Sequence, residues 1–107
     1  MMANGRDARE IKRIRNEILV ALKVLYPAAL QADRLMRSLL VLFPTMEFDY
    51  FRRDLHYLMD KGYIQRVATD AEGDAAMTPW RRRWFRLSTT GIELADRCIR
   101  DPALDES

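Results

Sequence analysis

Residues 48–91 constrain the fold of this chain most. Phe48, Phe51, Leu55, Leu58 and Met59 recur at steps of three and four, which puts them on one face of a helix. Gly62 in Lys61-Gly62-Tyr63-Ile64 is the expected stop, because left-handed backbone costs glycine no side-chain clash. The period then changes from helical to alternating. Residues 64–68 read as a strand and residues 80–87 as its partner, with Phe85 and Leu87 inward and Arg82, Trp84 and Arg86 on the opposite face. The connection over 69–79 is long for a hairpin, rich in Asp, Glu, Gly and Ala, and expected to be mobile. Ser88 caps a last helix carrying Ile92, Leu94, Ala95, Cys98 and Ile99.

Upstream, Asp7 can cap the first helix while Glu10 reaches back to it. Ile11, Ile14, Ile18, Leu22 and Leu25 make one apolar stripe, which Pro27 ends by pushing Tyr26 out of helical geometry. A second run, Ala32, Leu35, Met36, Leu39 and Leu40, stops before Pro44. Thr45 is placed to cap the third helix, with Glu47 and Asp49 at the positive end of its dipole. The expected class is therefore mainly α with a small β-hairpin: a three-helix core, two strands and a C-terminal helix. One domain spans 7–100, with flexible tails at 1–6 and 101–107, where Pro102 ends any helix.

A chain of 107 residues can bury roughly 60–70% of its unfolded surface and needs no staple to fold. One cysteine, Cys98, and one histidine, His56, exclude an internal disulfide and a Cys/His zinc cluster, which suits a reducing cytoplasm. Cys98 reads as a core or interface residue and His56 as a surface contact or structural residue. Met1-Met2-Ala3-Asn4-Gly5-Arg6 lacks the apolar run of a signal peptide, and no stretch approaches the roughly 20 apolar residues of a membrane span. With no Gly-rich phosphate loop, nucleophile elbow or carboxylate pair, neither an enzyme nor a bound cofactor is expected.

The net charge of +2 says little, but its distribution is uneven. Positive residues gather in 6–15 and in Arg81-Arg82-Arg83 with Arg86, and acids gather at Asp70, Glu72, Asp74, Asp101, Asp105 and Glu106. A basic patch on a nearly neutral protein steers a phosphate backbone to one face. The bland alternative is a solvated mixed-charge surface on which the arginines pair with the loop acids and the tryptophans pack the hairpin.

Three motifs carry a resemblance: the Arg53-Asp54-Leu55-His56-Tyr57-Leu58 core of the third helix, the Lys61-Gly62-Tyr63-Ile64 exit, and Phe85-Arg86-Leu87-Ser88 followed by Gly91. Over about residues 9–100 the chain resembles the winged helix-turn-helix superfamily, especially small bacterial regulators of the MarR, PadR and ArsR type. A weaker likeness is to small winged-helix proteins of transposable phages and prophages. Ala29-Leu30 matches the short first strand of such domains. The resemblance implies a recognition helix at about 46–61 and a basic wing at about 64–87. Its outward residues are then Asp49, Tyr50, Arg52, Arg53, His56, Tyr57 and Asp60. Arginine there reads guanine, tyrosines meet phosphates or thymine methyls, and Arg81, Arg82 and Arg83 neutralise phosphates or enter the minor groove. Two features depart from the pattern: the acids Glu47, Asp49, Asp54 and Asp60 on or beside a DNA-facing helix, and Phe43-Pro44 where a compact turn is usual.

The expected function is sequence-selective binding of double-stranded DNA by a transcriptional regulator. A homodimer is expected from Leu19, Val20, Val24 and Ile99, which exceed what one small core needs. The alternative is a winged-helix module that binds a protein partner without touching DNA, its acidic third helix facing that partner.

Overall fold

Asp7 starts the first helix, α1 (Ala8–Leu25), by accepting a hydrogen bond from the Glu10 amide at 2.7 Å. The carboxylate thereby satisfies one of the amides that a helix N-terminus leaves free. This is a computed structural model, and it describes residues 7–68, 78–97 and 99–104. The other elements are β1 (Leu30–Gln31), α2 (Ala32–Leu40), α3 (Phe48–Asp60), β2 (Ile64–Val67), a 3-10 turn (Trp80–Arg82), β3 (Trp84–Leu87) and α4 (Thr89–Ala95). The chain is thus mainly helical with a small antiparallel sheet, as its periodicities imply. Most of the expected mobile connection, Cys98, and the tails 1–6 and 105–107 lie outside the described residues. Among the described residues, no helix is long and apolar enough to cross a membrane.

The strand order is β1-β3-β2, and both pairings are antiparallel. Ile64 faces Leu87 and Val67 faces Trp84, so the hairpin forms where alternation places it. Phe85 and Leu87 are buried and Arg86 is exposed, which matches the pleat. The second strand is shorter than expected. Residues 80–82 coil into the 3-10 turn because the ladder with β2 runs out at Val67 and Trp84. Their amides turn inward instead, Arg82 to the Pro79 carbonyl and Arg83 to that of Trp80.

The core gathers Ile14, Ile18 and Leu22 of α1, Leu35 and Leu39 of α2, and Phe51, Leu55 and Leu58 of α3 against Phe85 and Leu87. Thr45 does not cap α3. Phe43 and Met46 are both buried, and the Met46 amide bonds the Phe43 carbonyl, so residues 43–46 close as a turn with Pro44 at its second position. That turn ends before the helix begins, and Glu47 becomes the N-cap without a side-chain bond.

The exit of α3 and the entrance of α4 lock together. Gly62 adopts φ +80, and the amides of Gly62 and Tyr63 bond the carbonyls of Met59 and Leu58, which closes the helix C-terminus with two bonds. Ser88 caps α4 by accepting from the Gly91 amide at 2.9 Å while its hydroxyl donates to the Gly62 carbonyl. Its amide reaches the Tyr63 carbonyl at 3.0 Å. A Cβ on Gly91 would lie 2.0 Å from that same oxygen, so only glycine fits.

The flexible tail expected from residue 101 is corrected for 101–104, which pack on the core. Leu104 is buried against it, and its carbonyl accepts from Asn16 Nδ2 at 2.6 Å. The buried Asp101 carboxylate accepts from the Tyr63 hydroxyl at 2.6 Å and from the Ala103 amide at 2.9 Å, with Lys61 Nζ at 3.4 Å. Burial, aided by the Asp101 carboxylate, pushes the Tyr63 hydroxyl up to about 12. The Tyr63 hydrogen bond holds Asp101 below its ordinary value despite the opposing effect of burial.

Candidate nucleic-acid interface

The exposed side of α3 is a narrow ridge. Asp49, Arg52, Arg53, His56 and Asp60 are exposed, and Tyr50 and Tyr57 are half-buried. The fourth acid of this segment faces the other way. Asp54 is 0% exposed and stands in the buried stripe with Phe51, Leu55 and Leu58. Arg15 reaches across from α1, its Nε 3.1 Å from Asp54 Oδ1 and its guanidinium carbon 3.7 Å from the centre of the Tyr57 ring. The expectation that Asp54 meets a polyanion is therefore wrong, since α1 supplies its counter-charge inside the protein. Asp49 lies 3.9 Å from Arg52 at the surface, a pairing of little energetic consequence.

On one flank of the ridge, Ile11 and Arg15 of α1 join Tyr50, Arg53, His56, Tyr57 and Asp60 around an open groove of about 620 Å³. On the other flank stands the arginine-bearing turn. Trp80 anchors it, lying 4.7 Å from the His56 ring and stacking on Phe85 at 5.7 Å. The Arg81 guanidinium covers the Phe48 ring at 4.0 Å. His56 thus touches both flanks.

The three arginines of 81–83 are not equivalent, and none of them stands on β3 as expected. Arg81 and Arg82 are exposed, and Gln31 Nε2 holds the Arg82 carbonyl at 3.3 Å. Arg83 is half-buried, donates to the Thr78 carbonyl at 2.8 Å and lies over Trp80 at 4.6 Å. Its guanidinium is committed to holding the turn. Among the described residues, no group of three His, Cys, Asp or Glu side chains is placed to hold a metal ion.

Five of the eight residues singled out by sequence lie on α3, namely Tyr50, Arg52, Arg53, His56 and Tyr57; Arg81 reaches that helix at Phe48, while the Arg82 carbonyl is held by Gln31 and the Arg83 guanidinium by Thr78. Sequence reasoning misses the contacts that Arg15, Phe48 and Trp80 make at this helix, and it sets Asp54 on the outer side, where the structure buries it. A signal for Asp54 exists, because positions 51, 54, 55 and 58 complete a buried helical stripe. No protein-family model, curated protein or solved structure matches the chain, so the chemistry of this surface rests on its own residues.

Proposed function

We propose that the chain is a winged helix-turn-helix protein that binds double-stranded DNA sequence-selectively and regulates transcription in the cytoplasm. The observation that carries this reading is the pairing of Arg52 and Arg53, exposed on α3, with Arg81 and Arg82 on a turn docked against the same helix through Trp80 and His56. Burial of Asp54 supports it by lowering the negative charge of the ridge. The arrangement of α1, α2, α3, β2, β3 and α4 with β1 on the far edge of β3 is compatible with the winged-helix plan.

On this reading Arg52 and Arg53 address base edges, Tyr50 and Tyr57 meet phosphates or thymine methyls, and Arg81 and Arg82 meet phosphates. His56 and Arg83 hold the turn in place. Val20 and Val24, one turn apart on α1, are exposed, as is Ile99 beyond α4. They supply an apolar patch for a symmetric homodimer, which would set two α3 helices about 34 Å apart on a palindromic site. Leu19 does not belong to that patch, since it is buried in the core.

The test is binding to random and selected duplexes across a salt series. Arg52→Ala and Arg53→Ala should each relax base preference at a cost of about 1–3 kcal/mol. Arg82→Ala should weaken all duplexes equally and flatten the salt slope by about 0.9. A parent protein that binds no duplex at low salt would sink the regulator reading, and a protein-binding module would replace it.

A further inference from the structure

Beneath the groove that holds half of the proposed contact residues lies a charged pair that apolar packing alone does not require. Arg15 grips α3 at two places one turn apart: its edge bonds Asp54, and its flat face covers Tyr57. The Asp54 side chain is fully buried and Arg15 is 19% exposed. We infer, on the DNA-binding reading above, that Arg15 and Asp54 are positioning residues that fix the rotation of α3 about its own axis. They thereby set the direction in which Tyr50, Arg53, His56 and Tyr57 leave the helix.

The physical reason is directionality. Phe51, Leu55 and Leu58 anchor α3 by apolar contact, which is non-directional and tolerates small rotations. A hydrogen-bonded guanidinium–carboxylate contact does not tolerate them, since such bonds weaken steeply once bent, and a buried carboxylate that loses its partner is costly. A helix rotation of about 20° moves a side-chain tip about 6 Å from the axis by about 2 Å. That exceeds the few tenths of an ångström over which a base contact keeps its strength. Tyr50 and Tyr57 flank Asp54 on the same face, at −4 and +3, so a slip of the pair is felt first where the groove lies.

The pair can be removed together by the double variant Arg15→Met with Asp54→Leu, because apolar replacements of a buried ion pair commonly preserve folding. Three readouts decide the matter: urea midpoint, the affinity ratio between a selected duplex and a random one, and the NMR resonances of Tyr50, Arg53 and Tyr57. The double variant should fold with a midpoint near the parent's and still bind random duplex. Its selected-to-random ratio should fall about fivefold or more, the low end of what one lost base contact costs. Arg15→Lys, which keeps the charge but loses the flat fork, should lower the ratio as well, and it serves as the deciding variant if the double variant fails to fold. An unchanged ratio in a folded variant overturns the positioning role. If the parent shows no duplex preference, the DNA reading fails by itself, and the resonances away from the Arg15–Tyr57 contact decide: shifts at Tyr50 and Arg53 support positioning, and unchanged resonances there overturn it.

Discussion

Replacing Gly91 by Ala should damage this protein far more than a methyl group suggests. Taken alone, the change favours the fold, because alanine is about 1 kcal/mol better than glycine inside a helix. The surroundings reverse the sign. The added Cβ would stand 2.0 Å from the Tyr63 oxygen, 2.9 Å from its carbonyl carbon and 3.0 Å from Leu87 Cδ2. Even attractive C–H···O contacts sit at about 3.3 Å, so α4 and the Tyr63 carbonyl must part by about 1.3 Å. That shift breaks the 3.0 Å bond from the Ser88 amide to Tyr63 and the bond from the Ser88 hydroxyl to Gly62. Two hydrogen bonds at about 1 kcal/mol each, plus about 1–3 kcal/mol for overpacking, less the propensity gain, leave a loss of about 2–4 kcal/mol.

Urea unfolding followed by circular dichroism measures this directly, with the midpoint falling while the slope stays constant. A loss of about 3 kcal/mol would lower the Tm by roughly 12–24 °C for a domain of this size. Gly62 is the control. Nothing lies within 4 Å of its Cβ position, and only its φ of +80 resists a side chain. Gly62→Ala should therefore cost about 1–2 kcal/mol. Gly62→Asn should recover part of that, since asparagine tolerates left-handed backbone, whereas Gly91→Asn should be worse than Gly91→Ala. A Gly91→Ala protein within about 0.5 kcal/mol of the parent would refute the close approach of α4 to Tyr63.

Ending the chain after Arg100 should cost about 2–4 kcal/mol in the same assay, from the burial of Leu104 and the bonds to Asp101; a loose tail would cost nothing. The Tyr63 hydroxyl, raised from 10.0 to about 12, contributes stability that is complete below pH 10 and is lost as the pH rises from there toward 12. Tyr63→Phe should flatten that alkaline fall, and in the parent one of the four tyrosines should titrate late by ultraviolet absorbance. Asp101, lowered in the fold, stabilises above the ordinary carboxylate value and loses that contribution as the pH drops through its folded value, so Asp101→Asn should reduce the acid dependence of the urea midpoint. Trp80→Ala should release the arginine-bearing turn at a cost of about 1–3 kcal/mol and equalise the solvent exposure of Arg81 and Arg83 in hydrogen exchange, whereas Trp80→Phe should retain most of the stack.

The helices were readable because each announces itself within a few residues. Asp7 and Ser88 cap where the sequence places caps, and the stripes of α1 and α3 keep a helical period from end to end. Gly62 is legible for the same reason, as its task is set by its own backbone. What could not be read depends on distant partners. Gly91 owes its identity to a carbonyl at residue 63, Asp54 to an arginine 39 positions earlier, and Asp101 to a tyrosine 38 positions earlier. The arginine-bearing turn was misplaced because nothing in Trp80-Arg81-Arg82-Arg83 marks where the strand begins, while the length of the ladder is decided by where β2 ends. At the surface, sequence grouped Arg81, Arg82 and Arg83 together. It did not separate Arg83, which holds the turn, from Arg82, which is free to face outward.

The strand order carries a consequence for how the chain is made. Among the described residues, β3 is the last strand in chain order and the middle one in space, so β1 and β2 have no common neighbour to bond until residues 84–87 are made. At synthesis rates of about 5–20 residues per second, the interval between completing β2 and completing β3 lasts roughly 1–4 s. Helices form in microseconds or less, so α1, α2 and α3 wait through that interval with their apolar stripes only partly covered. A chain without residues 84–87 therefore has three helices and two unpaired strands, and the four residues of β3 close the whole sheet at once.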